Sequence, residues 1–441
     1  MRDPRALFRT TLAATERFAR SACSSPSAVT IQRCRDVISF CYVTWMTVAP
    51  FDLNLRHLRA IQAIAARGSM SAAADAVSLS QPALTQGIAK LERQLGVTLF
   101  ERRTDGMTPT PAGTIFAERG AAAIGHLAAA SSRRNGRGFA RPEMLMTATQ
   151  LGAFLALADA GSFVGAAQAT GLSQPALHRA VRDLEQLGAQ PLVDRRGRGV
   201  ALTDAGRRLA RGVRLAAAEL AAAIAGTAPD GGEGGRIAIG AMPLCRALLL
   251  PAALAKFVKS GASATIDVVE GAWRDLVEPL RDGAVDFMIG ALRADDVPDL
   301  VQKPLFVDRL AVVGRAGHPL AGTAPDLAAL ACYPWIVGQT GTPLRAHWEA
   351  IFEGHAMPAV PIACGSVMTI RGVLRDSDFL TLLSPDQVAL EIEAGMLVRI
   401  GGALAGTART IGVTTRAGWR PTLAQSRFLT LLDEQGLQLS E

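Results

Sequence analysis

The first regular pattern along the chain is a run of apolar residues at helical spacing from Leu55 to Ala65. The run ends before Gly68, and glycine commonly terminates helices because it adopts a left-handed conformation without a steric cost. Ser69 can then cap a short alanine-rich helix over Ser71–Val77, since its hydroxyl can accept a hydrogen bond from a free N–H of the first turn. The pattern predicts two helices joined by a tight connection.

A third helix and a hairpin are predicted directly downstream. Ser80 can cap a helix that ends near Leu95, and Pro82 falls in its first turn, where the missing N–H removes no hydrogen bond. Two short runs, Thr98–Glu101 and Met107–Pro109, then resemble strands around a basic tip. Three helices followed by such a hairpin are typical of a winged helix-turn-helix domain.

The same pattern occurs twice. Residues 58–113 align without gaps on residues 151–206 at a constant offset of 93, and 24 of the 56 aligned positions are identical. The identical positions include the run SQPAL at 80–84 and 173–177. Self-similarity of this kind indicates that one supersecondary unit is present twice, with Ser162 and Ser173 as the caps of the second unit.

The third helix of each unit has the chemistry to bind DNA. It begins with short polar side chains and a glutamine, which can hydrogen-bond base edges in the major groove, and its N-terminal amides favour phosphate. Arginines of the predicted hairpins can contact the flanking backbone or a narrow minor groove. The alternative for either unit is a role in protein interaction alone.

The run GSMSAAADAVSLSQPALTQGIAKLERQLGVTLFERR resembles the N-terminal domain of LysR-type transcriptional regulators, and the resemblance extends over nearly everything after Met46. That family ordinarily carries one such domain, so the second unit is a departure. The resemblance implies that the helix in the major groove begins with SQPAL, followed by a polar residue and often arginine. With the capping serines and hairpin arginines, the predicted DNA-binding residues are Ser80, Gln81, Pro82, Thr85, Gln86, Arg102 and Arg103, and Ser173, Gln174, Pro175, His178, Arg179, Arg195 and Arg196.

An alanine-rich amphipathic stretch follows each unit, at Ala112–Ala130 and Ala205–Ala225. In LysR-type regulators this segment is a linker helix that pairs with its twin to form the dimer, and the resemblance implies the same pairing here. The basic run 131–138 predicts a flexible connection between the units, and the glycine-rich run 226–235 predicts a hinge.

From Arg236 onward, short apolar runs alternate with helical stretches, a pattern typical of parallel α/β sheets. The runs are Ile237–Gly240, Ala264–Val269, Val285–Ile289, Leu310–Val313, Trp335–Val337, Phe379–Leu383 and Ile411–Thr414. This half resembles the LysR effector domain, two α/β lobes like a periplasmic binding protein with a cleft between them. The stretch GALRADDVPDLVQKPLFVDRLAVVGRAGHPLA is similar to a branch that includes a regulator of a galactose-binding protein.

Ligands of α/β lobes bind beyond the carboxyl ends of the strands, near helix N-termini. Loops at those positions offer amides and hydroxyls, which suit a carboxylate or a sugar derivative. Taken singly, each such residue also fits a cap or a turn. The predicted effector-binding residues are Met242, Pro243, Leu244, Glu270, Thr340, Thr342, Ser366 and Thr369.

Charge distinguishes the two halves. Lys and Arg number 21 against 15 acidic residues in 46–235, and 18 against 21 in 236–441, within a chain of net charge +7. The basic first half indicates a polyanionic partner. Residues 1–45 hold seven Arg against three acidic residues and lack periodicity, so we expect residues 1–50 to be disordered or to precede a true start at Met46.

Other chemistry is not indicated. Six scattered cysteines without CxxC spacing predict reduced thiols in the cytoplasm, although Cys245 and Cys364 could form a redox sensor. HExxH, GxSxG and paired catalytic carboxylates are missing, so the sequence predicts no catalytic residue, no metal and no cofactor besides the effector. The sequence contains no run of 18 apolar residues, so it predicts no membrane-spanning helix.

The sequence thus predicts a DNA-binding transcription regulator that is not an enzyme. Its fold class is α/β with an α-rich N-terminal part: two tandem winged helix-turn-helix domains and a two-lobed effector-binding domain. The predicted bounds are 51–113 and 150–206 for the winged domains, 114–149 and 207–235 for the linkers, and 236–441 for the effector domain. The predicted partners are double-stranded DNA, a small-molecule effector and RNA polymerase, with the chain a homodimer or homotetramer. A ligand-binding or transport component is the main alternative, and an enzyme a weaker one.

Overall fold

Three helices and a two-stranded hairpin form the first unit, residues 55–113. The structure is a computed structural model that describes residues 48–104, 106–131, 141–196, 199–228, 232–402, 404 and 406–439. The elements of the first unit are α1 (Leu55–Arg67), α2 (Met70–Val77), α3 (Gln81–Leu95), β1 (Phe100–Arg103) and β2 (Gly106–Pro109). Ser69 and Ser80 cap α2 and α3, and Gly68 and Gly96 end α1 and α3 at φ of 63° and 71°.

The second unit, residues 148–206, repeats these elements between two long helices. Helix α4 (Pro111–Ser131) follows the first hairpin, and a short helix α5 (Pro142–Leu145) precedes the second unit. The elements that follow are α6 (Ala148–Ala160), α7 (Phe163–Thr170), α8 (Gln174–Gly188), β3 (Val193–Arg196), β4 (Gly199–Leu202) and the second long helix α9 (Asp204–Gly226). Most of the predicted N-terminal segment and of the basic run 131–138, and part of the predicted hinge, lie outside the described residues.

The hairpins differ in register from the prediction. Arg102 and Arg103 belong to β1, where they pair with Met107 and Gly106, rather than to the tip. The strands are longer than predicted because hairpin strands commonly pair up to a short connecting turn. The basic residues therefore lie along a strand, and Arg195 and Arg196 do the same in β3.

A glutamate fixes the start of each hairpin. The Oε1 atom of Glu92 on α3 accepts hydrogen bonds from the N–H groups of Leu99, at 2.7 Å, and Phe100, at 3.4 Å. Glu185 on α8 does the same for Leu192 and Val193 at 2.9 and 3.4 Å. The identical Leu-Glu pairs of the repeat thus hold each hairpin against its third helix.

A glycine in the first turn of each long helix explains another identity of the repeat. A Cβ at Gly113 would lie 1.9 Å from the carbonyl oxygen of Leu99, and one at Gly206 would lie 2.0 Å from that of Leu192. Any side chain there would push the long helix away from the hairpin.

We expect Gly113→Ala to lower the free energy of unfolding by about 1–3 kcal/mol, because a backbone carbonyl must move to admit the methyl group. Gly125 lies in the same helix with nothing within 4 Å of its would-be Cβ. Gly125→Ala should therefore raise the free energy of unfolding, by about 0.5–1 kcal/mol. Chemical denaturation of both variants checks the pair; equal changes in the two would show that the close contact at Gly113 has no energetic weight.

The long helices α4 and α9, called the linker helices below, pack against each other within the chain. A Cβ at Gly212 in the first half of α9 would lie 2.2 Å from the Cβ of Ala130 near the end of α4, while Gly226 at the end of α9 lies near Ile115 at the start of α4. The helices are therefore antiparallel. The family resemblance implied a pairing between twin helices of a dimer; here the helix at the equivalent repeat position of the same chain occupies that face.

Short segments exchange between the two units. The turn of 3-10 helix at Pro50–Asp52, just before the first unit, packs against α6 and α9. Helix α5, just before the second unit, packs against α1 and α4, where Arg56 donates to the carbonyl oxygen of Met144 at 3.2 Å. This exchange is reciprocal, so together with the antiparallel linker helices it relates the units by an approximate twofold axis.

The rear half contains two lobes with separate apolar cores. The first lobe begins with β5 (Arg236–Ala241), α10 (Leu249–Lys259), β6 (Thr265–Glu270), α11 (Trp273–Asp282), β7 (Phe287–Ala291) and β8 (Leu300–Arg309). The second lobe consists of β9 (Ala311–Arg315), α12 (Leu327–Ala331), β10 (Ile336–Val337), α13 (Pro343–Ile351), β11 (Ile362–Ala363), α14 (Val367–Arg375), β12 (Thr381–Leu383), α15 (Ala389–Glu393) and β13 (Leu397–Ile400). The chain then returns to the first lobe with β14 (Ala408–Arg416) and α16 (Leu423–Gln438).

The sheets are mixed, which corrects the expectation of parallel sheets. The first lobe has the strand order β6-β5-β7-β14-β8, in which β5 is parallel to β6 and β7 while β14 is antiparallel to β7 and β8. The second lobe has an antiparallel sheet β12-β9-β13 and a short parallel pair β10-β11. Strand β8 escaped prediction because it is an edge strand with several polar, exposed positions. In the described segments, no helix combines the length and the apolar composition that crossing a bilayer requires.

Candidate DNA-binding surface and effector loops

The third helices present the predicted DNA-binding residues to solvent. On α3, Ser80, Gln81, Pro82, Thr85 and Gln86 are all exposed, while Leu84 between them is fully buried. The local folding reason is the alternation of the sequence: the apolar position faces the unit's core, and the polar positions next to it face outward.

The second unit has the same arrangement on α8. Ser173, Gln174, Pro175 and Arg179 are exposed, and Leu177 is buried. Within the described segments, no hydrogen bond or ion pair engages the side chains of Gln81, Gln86, Gln174 or Arg179. Their donors and acceptors are available to an external partner.

One predicted contact of the second unit is not fully free. The imidazole of His178 is half-buried and stacks on the ring of Phe163 from α7, with ring centroids 3.7 Å apart and an interplanar angle of 20°. The first unit has Met70 and Thr85 at the equivalent positions, and the Thr85 hydroxyl donates to the carbonyl oxygen of Gln81 at 2.9 Å. The exposed faces of α3 and α8 therefore differ in shape as well as in sequence.

The hairpin of the first unit carries two arginines on its first strand. Arg102 and Arg103 are exposed, and Arg103 makes an exposed ion pair with Glu101 at 3.4 Å, a type of contact that contributes little to stability. Arg195 and Arg196 occupy the equivalent strand positions of the second hairpin. Such positions suit contacts to the phosphate backbone.

In the first lobe, two predicted effector loops lie side by side. Strands β5 and β6 are parallel neighbours, so the loops after them share an edge, and Arg246 forms an ion pair with Glu270 across it. Pro243 and Glu270 are exposed there. The pairing gives this edge both a guanidinium and a carboxylate.

Met242, a predicted residue of this loop, has its side chain in the interior of the first lobe. It is only 8% exposed, and its side chain packs with Leu276 and Val285 in the interior of the lobe. Its N–H donates to the carbonyl oxygen of Ile289 at 3.0 Å, so the β5–β7 pairing extends by one residue and turns the side chain inward. Leu244 is half-buried and packs against the core of the first lobe. Met242 and Leu244 therefore present little side-chain surface on this loop, and their role in effector binding stays a prediction.

In the second lobe, the predicted residues cap helices beyond the parallel pair β10-β11. Thr342 caps α13 by accepting from the Arg345 N–H, and Ser366 caps α14 by accepting from the Thr369 N–H, each at 3.4 Å. Thr340 is exposed in the loop between β10 and α13. Among the described residues, no hydrogen bond or ion pair joins these positions to the predicted residues of the first lobe.

Sequence reasoning missed a set of ion pairs that join the linker helices to the first lobe. Glu219 on α9 is 12% exposed and accepts from Arg119 of α4 at 3.0 Å and from Arg420, next to α16, at 3.4 Å. Arg119 also donates to the carbonyl oxygen of Arg420 at 2.9 Å. This triad of two arginines and a glutamate, called the clasp below, ties both linker helices to the effector half.

A second connection reaches the second unit. Arg214 of α9 contacts Asp159 of α6 at 2.5 Å and Asp282 of α11 at 3.5 Å. Arg211 contacts the same Asp282 at 2.5 Å. Asp282 of the effector half is therefore shared by two arginines of a linker helix, and one of these, Arg214, also contacts the second unit. No sequence pattern shows these pairs, because their members lie 55 or more positions apart.

A cavity of about 300 Å³ lies between the linker helices and the first lobe, beside the clasp. Its lining includes His126, Asp286 and Arg416. Burial lowers the pKa of His126 and of Arg416 and raises the pKa of Asp286, so each charged form is disfavoured there. Arg416 donates to the carbonyl oxygens of Leu280 and Val285, both at 2.7 Å, which holds this guanidinium against the first lobe.

The predicted redox alternative finds no support. Burial raises the pKa of the Cys245 thiol to about 12, which suppresses the reactive thiolate. Cys245 lies in the first lobe and Cys364 follows β11 in the second, and both are free thiols. No group of His, Cys, Asp or Glu within the described ranges could hold a metal ion.

Protein-family models match both halves of the chain. The model described as "Bacterial regulatory helix-turn-helix protein, lysR family" matches residues 55–114 and again residues 148–207. The model described as "LysR substrate binding domain" matches residues 230–436. Both HTH matches fall on a unit built of three helices and a hairpin, and the third on the two lobes.

Curated relatives carry names of regulators. The chain is 34% identical over 369 residues to the HTH-type transcriptional regulator GalR of Pseudomonas putida, a match that covers 83% of this chain and 93% of the relative. It is 34% identical over 282 residues to the SDS degradation transcriptional activation protein of a Pseudomonas species, covering 61% and 90%. It is 27% identical over 293 residues to PcaQ of Agrobacterium fabrum, covering 65% and 94%. These names agree with the prediction of a regulator rather than an enzyme.

Solved structures share the fold. ArgP from Mycobacterium tuberculosis superposes with a TM-score of 0.54 at 19% identity, over 65% of this chain and 96% of that one. A full-length variant of OxyR from Pseudomonas aeruginosa superposes with a TM-score of 0.50 at 22% identity, over 66% and 97%. The likeness agrees with the family models, which assign an N-terminal helix-turn-helix and a C-terminal substrate-binding domain, and it shows that the fold mixes α and β structure.

Proposed function

The chain belongs to the LysR family of DNA-binding transcriptional regulators with a C-terminal effector-binding domain, and on that premise we propose that both of its helical units are winged helix-turn-helix domains that contact one DNA duplex. The observation that carries this proposal is the packing of the two linker helices against each other within one chain. A single chain then supplies two DNA-binding units related by an approximate twofold axis. Successive major grooves on one side of a duplex suit such a pair.

Three further features support a DNA role for both units. The exposed glutamines at the start of α3 and α8 have no partner among the described residues. Each hairpin carries two consecutive arginines at equivalent strand positions, and arginines commonly contact DNA phosphates. The match to GalR of Pseudomonas putida is longer than the stretch from Ala148 to the end of the chain, so it includes part of the first unit as well as the second.

The predicted effector is a small carboxylate or a sugar derivative, bound in a cleft between the lobes as in periplasmic binding proteins. The capped N-termini of α13 and α14 in the second lobe provide amides for its anionic or hydroxyl groups, and the Arg246–Glu270 edge of the first lobe suits the same class of ligand. Closure of the cleft would move the first lobe, and the clasp would pass that motion to the linker helices. The spacing of the two DNA-binding units would change as a result.

The remaining partners stay predictions. RNA polymerase is the expected target of an activator of this family, and the cytoplasm is the expected location of a chain that binds DNA. A homodimer or homotetramer of chains would need a surface other than the face shared by α4 and α9, since that face is filled within the chain. The narrower assignment to the branch with the regulator of a galactose-binding protein is also still a prediction.

We expect the double substitution Gln174→Ala/Arg179→Ala to shorten the DNase I footprint on a promoter fragment from one side, because it removes the base contacts of the second unit only. Gln81→Ala/Gln86→Ala should shorten it from the other side. Each footprint is taken over a salt series, in which wild-type affinity should fall steeply as salt reduces the gain from counterion release. Arg274→Ala removes an exposed arginine of the effector half as the control.

Two outcomes would contradict the proposal in different ways. A full-length footprint from the Gln174→Ala/Arg179→Ala variant would exclude the second unit from DNA binding while leaving the first in place. No binding to promoter fragments at low ionic strength, with or without candidate carboxylates and sugars, would remove the DNA-binding role altogether.

A further inference from the structure

Helices α3 and α8, called the recognition helices below, share their first exposed residues and differ at two of the positions that follow. Both begin at a capping serine followed by Gln-Pro, and both bury the leucine of the SQPAL run. After that run, the first unit presents Thr85 and Gln86, and the second presents His178 and Arg179. The chain therefore carries two different contact surfaces on one approximately symmetric frame.

Gln86 and Arg179 differ in what they can bind. A glutamine side chain has one acceptor and one donor group, which match N6 and N7 of adenine. An arginine has only donors in a planar fork, which match O6 and N7 of guanine. Both side chains are exposed and without a partner among the described residues, so neither is engaged in holding the fold.

The neighbouring residues strengthen the difference. The Thr85 hydroxyl donates within its own helix, which leaves a methyl group and an acceptor facing outward. The His178 ring is held in one orientation by its stack on Phe163, a contact that Met70 and Thr85 do not reproduce in the first unit. The second surface is thus bulkier and more basic at its centre than the first.

We propose that one chain binds a composite operator without internal twofold symmetry, in which the half-site under α8 is specified by guanine at the Arg179 contact and the half-site under α3 by adenine at the Gln86 contact. The inference rests on the proposed DNA-binding role of both units. Both units belong to one chain and each unit binds its own half-site. The operator therefore has a direction. A dimer of chains would repeat this composite element, but each element would remain asymmetric.

The test is selection of binding sites from random duplex DNA with the full-length chain, followed by affinity measurements. We expect two unlike half-sites about one helical turn apart, or a multiple of it. Replacing the guanine of one half or the adenine of the other should weaken binding roughly tenfold to hundredfold.

The matched variant is the exchange Gln86→Arg/Arg179→Gln, which leaves composition and net charge unchanged. In this variant the first unit should bind the guanine half-site and the second unit the adenine half-site. A DNA-cleaving reagent attached near one unit shows which half-site that unit occupies. Gln86→Arg alone should select guanine in both halves, and Arg179→Gln alone should select adenine in both. Arg274→Gln, on the effector half, should leave the selected sequence as it is.

A selected site with two identical inverted half-sites, or an exchange variant that keeps the wild-type order, overturns the inference while leaving the DNA-binding role intact. Failure of the wild-type chain to enrich any sequence overturns the proposed function instead. Circular dichroism of each variant shows whether a lost preference reflects an altered contact or an unfolded unit.

Discussion

Replacing Glu219 with alanine is expected to lower the free energy of unfolding by about 3 kcal/mol, because the largely buried Arg119 would lose its carboxylate and Arg420 would keep only Glu118, at 3.9 Å. Glu219 is 12% exposed and Arg119 14%, whereas Arg420 is 42% exposed, so most of the loss should come from the Arg119 pair. Both linker helices depend on this carboxylate, since Arg119 belongs to α4 and Glu219 to α9. The effect should therefore be felt at the junction before it is felt in either lobe.

Hydrogen exchange locates the loss. Amides in α4, in α9 and around Arg420 should lose protection in Glu219→Ala, while the strands of the second lobe, which has its own apolar core, should keep theirs. The control is Glu349→Ala, which removes the 47% exposed acid of a pair within α13; its partner Arg345 keeps its contact with the ring of Trp348. That change should cost at most about 0.5 kcal/mol. Equal losses in the two variants would show that the clasp is only another surface contact.

The helical part of the fold follows from sequence because its determinants are local. A capping serine, a terminal glycine and a proline in the first turn act within a few residues, so the limits of α1, α2 and α3 agree with the prediction within a residue or two. Repetition then doubled each of these patterns.

The same local rules fail where the placement of a residue depends on contacts with a distant part of the chain. Met242 follows a strand and resembles a loop residue in the sequence, yet pairing with β7 draws it into the lobe interior. Glu219 looks in the sequence like an ordinary solvent-exposed helix residue, because its partners Arg119 and Arg420 are 100 and 201 positions away. Helix α8 ends at Ala189 in a left-handed conformation, φ 45°, where the first unit has Gly96, so even the terminating glycine was replaced without loss of the turn.

The exposure of the proposed DNA-binding residues was easier to predict than the arrangement of the effector loops. The exposed positions of α3 and α8 follow directly from helical periodicity and from the buried leucine between them. The effector residues depend on which strands are neighbours and how two lobes face each other, and neither is written in local periodicity. The caps Thr342 and Ser366 could be identified as caps, but not as parts of one ligand site.

The second large effect is expected at the crossing of the linker helices. A Cβ at Gly212 would lie 2.2 Å from the Cβ of Ala130 and 2.8 Å from the carbonyl oxygen of His126. Both neighbours belong to α4, and one of them is backbone, so a larger side chain can only be accommodated if the helices move apart. Gly212→Val should therefore separate the linker helices and disturb the fixed relation between the two proposed DNA-binding units.

Affinity for a duplex with two half-sites should fall by roughly a hundredfold in Gly212→Val, because the second unit loses the effective concentration that its fixed position provides. Affinity for a duplex with a single half-site should change little, since neither recognition helix is touched. Fluorescence anisotropy with the two duplexes measures both values on the same preparation. Gly125→Val is the matched control, as the same side chain enters α4 where no atom lies within 4 Å. If Gly212→Val bound the two-site duplex as tightly as the control, the in-chain pairing of α4 and α9 would not be what positions the units on DNA, and the linker helices would have to be assigned to contacts between chains.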